Sequence, residues 1–137
     1  MINLQPSSLA MVPFVSVQDM MRIVNLIGAS EMITEICNYI EADFKRWPLF
    51  DKAPRVAAHS AEGVIELMPT SDGEYYGFKY VNGHPANMAR GFQTVTAFGV
   101  LAKVLNGYPV LFSEMTILTA LRTAATSALA AKYLAPK

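Results

Sequence analysis

Three charged residues, each inside a short apolar segment, are the first candidates for chemistry. They are Arg55, Glu66 and Lys79. The segments around them are typical of strands and are joined by tight turns: strands at 55–60, 63–69 and 75–81, turns at 61–62 and 71–74. Two cations and a carboxylate brought together would suit a small zwitterion. The cations attract its carboxylate, and the glutamate holds its ammonium or accepts a proton.

The alternation of side chains along a strand predicts whether these charges meet. A two-residue loop at 61–62 pairs Ala57 with Glu66 and Arg55 with Met68, and a four-residue loop at 71–74 pairs Glu66 with Lys79. Arg55, Glu66, Met68 and Lys79 then share one face of the sheet. The opposite face, a predicted core, holds Val56, Ile65, Leu67, Phe78 and Tyr80. The alternative is an ordinary solvated face with cross-strand ion pairs.

Length and composition limit the class of protein. At 137 residues we expect one domain, 1–137, with a loose lead-in at 1–12. The net charge of zero gives no electrostatic case for nucleic acid or an anionic membrane as partner. Charged residues are 16% and hydrophobic residues 53%, which indicates apolar surface meant for a partner. A single Cys37 and a first segment unlike a signal peptide favour the cytoplasm.

The remaining elements predict an α+β fold with a mostly antiparallel sheet, two N-terminal helices and one long C-terminal helix. Ser16 or Asp19 would start the first helix, and Ser30 would cap the second. The predicted buried stripe of the second helix is Met32, Ile33, Ile36, Tyr39, Ile40 and Phe44. The pattern predicts an edge strand at 13–17, a first helix at 17–26 and a second helix that starts at Ser30 and is stopped by Trp47-Pro48. It also predicts strands at 94–104 and 108–112 around the Asn106-Gly107 hairpin signal, and a helix at 114–134.

The last helix contains a lone cation, Arg122. Thr119, Thr123 and Thr126 lie on adjoining turns, and an arginine framed by hydroxyls is a candidate anion site. The alternative is that Arg122 marks the solvent side of the helix. Arg122 and the hydroxyls also argue against a membrane span.

A metal site is not expected. His84 has no second His or Cys at metal-ligand spacing, since His59 is far away in the sequence. We therefore interpret His84 as a hydrogen-bonding residue of an ordered loop.

Several long segments resemble the ornithine cyclodeaminase/mu-crystallin family. They are 79–87, 94–102, 107–111, 113–116 and 119–127. Segments 43–47 and 64–69 resemble the ornithine cyclodeaminase branch in particular, and the resemblance extends over about 17–135. It implies a homodimeric, NAD-dependent lyase of proline biosynthesis. Such an enzyme oxidises L-ornithine, lets the side-chain amine close on the imine, releases ammonia and returns the hydride to give L-proline.

The resemblance also implies roles for individual residues. The implied substrate-binding residues are Arg55, Met68, Lys79 and Arg122. Glu66 would be the catalytic residue that transfers a proton at the reacting amine. Thr94, together with Arg122, would contact the cofactor.

One departure from the family pattern is large. Family members continue into a Rossmann domain, whereas none of the eight glycines here forms the G-x-G-x-x-G turn of a dinucleotide site. We therefore expect a substrate-binding and dimerisation half that binds no NAD alone. The alternatives are a truncated non-catalytic module that dimerises or binds an amino acid, and a relative with another substrate, such as an alanine dehydrogenase or a ketimine reductase.

Overall fold

The structure is a computed structural model that describes residues 11–136. Three α-helices, two short 3₁₀ helices (Trp47–Leu49 and Pro85–Arg90) and seven strands make up the described fold, which confirms the predicted α+β class. The helices are α1 (Val17–Ile27), α2 (Ala29–Lys45) and α3 (Thr116–Leu134). The strands are β1 (Phe14–Val15), β2 (Asp51–Lys52), β3 (Val56–His59), β4 (Val64–Ser71), β5 (Tyr75–Gly83), β6 (Ala97–Lys103) and β7 (Pro109–Glu114). Most of the predicted lead-in, 1–12, lies outside the described residues.

The first two helices begin for different reasons. The Ser16 hydroxyl accepts from the Asp19 N–H, and the Asp19 carboxylate accepts from the Ser16 N–H, a reciprocal cap that confirms the predicted start of α1. The predicted cap at Ser30 is wrong. Gly28, with φ of +92°, separates the two helices, and α2 starts directly after it at Ala29 without a side-chain cap.

The predicted buried stripe of α2 is only partly covered. Met32, Ile33, Ile36 and Ile40 are half-buried, whereas Tyr39 and Phe44 are exposed. The helix packs mainly against α3 and also contacts α1. Phe44 lines an open groove between α2 and α3, which leaves its ring partly accessible.

The seven strands form one sheet in the order β1-β7-β6-β5-β4-β2, with β3 also paired to β4. All neighbours are antiparallel except β1, a parallel edge strand beside β7. The predicted edge strand and the hairpin around Asn106-Gly107 are both confirmed. Strand β6 begins at Ala97, three residues later than predicted, because the side-chain oxygen of Asn82 accepts the Thr96 N–H in place of a backbone partner.

The register between β4 and β5 differs from the prediction by two residues. Lys79 lies opposite Met68, and Glu66 lies opposite Val81, so the predicted pair of Glu66 with Lys79 is wrong. The cause is the turn. The Asp72 carboxylate accepts the Glu74 and Tyr75 N–H groups at 3.0 and 2.8 Å and tightens the loop. A shift of two residues leaves every side chain on its original face.

The core lies where α3 packs against α2, α1 and the β6 strand of the sheet face that contains Lys79. Its buried apolar residues are Met20, Ala97, Leu121, Ala125 and Leu129. Glu114, at the end of β7, is only 5% exposed, and its carboxylate accepts the N–H groups of Thr116, Ile117 and Leu118. This carboxylate therefore satisfies the first turn of α3 and joins the helix to the sheet.

None of the helices within 11–136 has the combined length and apolar character needed to cross a membrane.

No element within residues 11–136 covers the predicted core face, which corrects the expectation for Val56, Ile65 and Leu67. Val56 is 63% exposed, Ile65 38% and Leu67 40%. We call this side of the sheet the outer face. Its apolar and aromatic residues are Phe14, Val56, Ile65, Leu67, Tyr76, Phe78, Tyr80, Phe98, Val100 and Phe112. Alternation alone separates two faces of a strand but does not say which face a helix will cover.

Candidate active site

Arg55 and Glu66 form an ion pair on the helix-covered face of the sheet. The Arg55 Nη1 group donates to both carboxylate oxygens of Glu66, at 3.0 and 3.1 Å. Arg55 precedes β3 and Glu66 lies in β4 opposite Ala57, as the predicted register of these strands required. The Arg55 side chain is 59% exposed, so the pair adds only about 0–1 kcal/mol to stability. Its main consequence is to hold the glutamate in one orientation.

Lys79 lies at the centre of the same face. It is opposite Met68 on β4 and Gly99 on β6. The pKa of Lys79 is lowered first by burial, then by the nearby charge of Arg122 and then by Arg55, while Glu66 acts in the opposite direction. Within residues 11–136 the amine has no salt-bridge partner. It is therefore a partly desolvated cation whose charge is not neutralised.

Arg122 reaches this face from α3. It lines a cavity of about 300 Å³ together with Ile36, Lys79, Met115, Leu118 and Thr119. Met115, Leu118, Thr119 and Arg122 are spaced at i, i+3, i+4 and i+7, so they share one side of the helix. Like Lys79, Arg122 forms no ion pair within the described part of the chain. The cavity therefore contains two cations without a counterion.

The hydroxyls predicted to frame Arg122 behave differently from one another. Thr123 donates to the Thr119 carbonyl at 2.7 Å, and Thr126 donates to the Arg122 carbonyl at 2.9 Å. Threonines inside a helix commonly bond back to the preceding turn in this way. The predicted frame is therefore wrong for Thr123 and Thr126, and only Thr119 shares the cavity with Arg122.

A second cavity, of about 330 Å³, adjoins the first at Lys79 and extends across the sheet. Met68 lines it, beside Lys79 and Gly99. A Cβ atom at Gly99 would collide with the Met115 sulfur and crowd the Phe78 carbonyl at 2.9 Å. The glycine therefore allows α3 to approach the sheet closely, which places Met115 over the strand.

Two other residues named from the sequence lie outside these cavities. Thr94 lies in the segment before β6, where its carbonyl accepts the His84 N–H at 2.9 Å, and it is not among the residues that line either cavity. The His84 Nδ1 atom lies 3.2 Å from the Asn82 side-chain nitrogen, which confirms His84 as a hydrogen-bonding loop residue. Among residues 11–136 no group of three or more His, Cys, Asp or Glu side chains could hold a metal ion.

A larger cavity, about 550 Å³, lies between α2 and the end of α3, away from these charges. Its one carboxylate, Glu41, is already bonded to Lys45, Lys132 and the Tyr133 hydroxyl. The Lys132 hydrogen bond, followed by those of Tyr133 and Lys45, lowers the pKa of Glu41 to about 2. Because every charge there is paired, this groove offers nothing to a charged ligand.

The arrangement around Lys79 can bind an anion and move a proton. Arg55, Arg122 and a single carboxylate, Glu66, all act on the charge of Lys79. A bound carboxylate would reduce the excess of positive charge, and Glu66 would remain available to an ammonium group. Sequence reasoning missed Ile36, Met115 and Leu118. For the last two, the 3.6-residue periodicity with Arg122 was the available signal.

Comparison with known proteins gives consistent matches. The model of the ornithine cyclodeaminase/mu-crystallin family matches residues 17–137. The chain is 68% identical over 133 residues to the ornithine cyclodeaminase of Brucella suis biovar 1. The matched region is 97% of this chain and 37% of that enzyme. The chain thus spans little more than a third of the length of this relative.

Solved structures agree with the observed fold. A lysine cyclodeaminase, described with recognition of L-lysine, L-ornithine and L-2,4-diaminobutyric acid, is similar with a TM-score of 0.84 at 27% identity, over 91% of this chain and 39% of that one. An archaeal alanine dehydrogenase dimer with bound NAD is similar with a TM-score of 0.75 at 28% identity, over 91% of this chain and 38% of that one.

Proposed function

The chain belongs to the ornithine cyclodeaminase/mu-crystallin family, and we propose that it is the amino-acid-binding part of an NAD-dependent ornithine cyclodeaminase. In that reaction L-ornithine is converted to L-proline and ammonia. The substrate carboxylate binds among Arg55, Lys79 and Arg122, with Met68 beside it. The close similarity to a curated ornithine cyclodeaminase supports the choice of substrate.

One observation carries the proposal. Lys79 and Arg122 line a single cavity, and neither has a counterion within residues 11–136. Burial, and then the like charge of Arg122, lowers the pKa of Lys79, so an anion bound beside the amine would offset both effects. An α-carboxylate is an anion of suitable size, since it can accept from an ammonium and a guanidinium together.

Glu66 is the proposed proton-transfer group. Its carboxylate is the only acidic group beside the three cations among the described residues, and Arg55 holds both of its oxygens. An amino acid whose carboxylate lies between Lys79 and Arg122 presents its α-amine on the same face as Glu66. Glu66 would then take a proton from the amine and return it at a later step.

NAD would supply the hydride chemistry of this reaction, but the described residues do not fit its pyrophosphate. Helix N-termini usually supply that site. The first N–H groups of α3 are already taken by Glu114, and the start of α1 is closed by Ser16 and Asp19. The start of α2 has no side-chain cap, but its first turn contains the acidic Glu31, which would repel a pyrophosphate. Thr94 and Arg122 remain proposed as cofactor contacts, and the dinucleotide would need further residues that these elements do not provide.

We also propose that the outer face joins two copies of the chain. A β-sheet normally buries one face, yet here the apolar face lacks a covering element among the described residues. Phe98 stacks on Tyr80 at 4.8 Å and meets Phe78 edge-on at 6.3 Å, so the patch is continuous and aromatic. A second copy would cover it with a face of the same shape.

Calorimetric titration of the 137-residue chain with L-ornithine, L-lysine and L-alanine tests the function. We expect saturable binding of L-ornithine, lost in Lys79→Met and kept in Lys103→Met. Lys103 is a matched control because it already bonds Tyr75 and Glu74 on β5 and the adjacent turn. Binding of L-alanine in preference to L-ornithine would favour an alanine dehydrogenase-like relative, and binding of no amino acid would overturn the proposal.

A further inference from the structure

We propose that Thr119 is a third polar contact for the substrate carboxylate, beside Lys79 and Arg122. The inference rests on the proposed function, because it refines how the same cavity recognises an amino acid. The observation behind it is the juxtaposition of a free hydroxyl with two cations that lack a counterion in one cavity.

The position of Thr119 on α3 directs it toward the cavity. Residues three positions apart lie on the same side of a helix, so Thr119 and Arg122 are neighbours on the helix surface. Both line the cavity that contains Lys79. Thr119 is half-buried, and its backbone is fixed, since its N–H donates to the Met115 carbonyl at 2.8 Å.

The hydroxyl of Thr119 is the one that α3 leaves available near Arg122. Thr123, Thr126 and Ser127 all donate to carbonyls of the preceding turn, at 2.7, 2.9 and 3.2 Å. The Thr119 hydroxyl has no partner within residues 11–136. Every fully buried side-chain nitrogen or oxygen in these residues has a hydrogen-bond partner. Because the Thr119 hydroxyl has none, it is not fully buried and is open to the cavity.

The chemistry of the remaining lining selects a carboxylate as its partner. Ile36, Met115 and Leu118 are apolar and offer no hydrogen-bond acceptor other than a thioether. Each oxygen of a carboxylate drawn in by Lys79 and Arg122 can accept more than one hydrogen bond. A hydroxyl in the same wall donates to one of these oxygens, and a hydrogen bond to a charged group is stronger than a neutral one.

The test is calorimetric binding of L-ornithine and of L-norvaline, the same carbon chain without the side-chain amine, to the 137-residue chain. Thr119→Val preserves shape and removes the hydroxyl, and we expect it to weaken binding of both ligands by about ten-fold. Thr119→Ser should restore most of the affinity. Thr123→Val is the matched control, because that hydroxyl is already bonded to the helix backbone.

Each outcome has a distinct meaning. Unchanged binding in Thr119→Val overturns the inference while leaving the proposed function intact, and weaker binding confined to L-ornithine overturns the assignment to the carboxylate. Absence of binding by the unaltered chain overturns both. Circular dichroism checks folding. If Thr119→Val does not fold, Thr119→Ala, which a helix tolerates well, replaces it with the same expected loss.

Discussion

Lys79 on β5 and Arg122 on α3 line one cavity, and the charge of Arg122 lowers the pKa of Lys79. Burial of the amine acts in the same direction and is the larger cause. In the unfolded chain neither effect operates. The folded protein therefore holds this proton less tightly than the unfolded one, and the site opposes folding at any pH where Lys79 is charged.

Lys79→Met is therefore expected to raise the thermal midpoint of the unliganded chain at about pH 7, by a few degrees at most. The unfolded state binds more protons between the lowered pKa and the ordinary value of 10.5, so the stability of the unaltered chain rises with pH through that window. The difference in thermal midpoint between Lys79→Met and the unaltered chain should therefore decrease as the pH rises. Thermal melts followed by circular dichroism at neutral and alkaline pH measure both effects.

Lys103→Met is the control for that comparison. The pKa of Lys103 is raised, chiefly by its hydrogen bond to Tyr75, so removing this lysine should lower the midpoint or leave it unchanged. If the thermal midpoint of Lys79→Met fell by as much as that of Lys103→Met, Lys79 would contribute ordinary packing, and its charge would not destabilise the fold.

Glu66→Gln should abolish proton transfer while leaving the fold intact. We expect turnover to fall by about two to four orders of magnitude, the usual loss for a general acid or base. A suitable enzyme is a chimera that joins this chain to the remaining part of the Brucella suis relative, with ammonia release as the assay. Glu62→Gln is the control, since Glu62 lies in the turn before β4 and pairs with Arg90. Turnover close to that of the unaltered chimera would remove Glu66 from the mechanism.

Leu67→Asp should separate the proposed dimer. Leu67 lies opposite Tyr80 near the middle of the outer face, where a buried carboxylate without a partner would be costly. Light scattering is expected to give a dimeric mass for the unaltered chain and a monomeric mass for the variant. Leu105→Asp, at a residue 94% exposed in the turn between β6 and β7, should remain dimeric. A monomeric unaltered chain would refute the dimer.

Glu114→Ala should destabilise the fold through the start of α3. The variant leaves the N–H groups of Thr116, Ile117 and Leu118 without the carboxylate that accepts them. We expect the free energy of unfolding to fall by about 1–3 kcal/mol, as for a lost charged cap in a buried position. Urea denaturation measures the change. Glu62→Ala, at an exposed ion pair, should change it by no more than about 0.5 kcal/mol.

Some of the candidate site could be predicted from local patterns. Side chains in the strands around Glu66 and Lys79 alternate between the two faces of the sheet with a period of two. The two residues therefore share a face both in the predicted register and in the observed one, which differs from it by two residues. The register itself depended on the Asp72 side chain, which bonds the backbone of its own turn and shortens the loop. The spacing of residues does not reveal that bond.

The sequence by itself determined the order of the elements, the class of fold and the residues that share the polar face. These follow from interactions between residues close together in the chain, and from motifs long enough to identify the family. Only the tertiary structure decided that α3 covers the polar face and leaves the apolar one exposed. It did so because Gly99 lets Met115 approach the sheet and the Thr116 hydroxyl accepts the Ala97 N–H at 2.9 Å. These two long-range contacts place Arg122 and Thr119 beside Lys79.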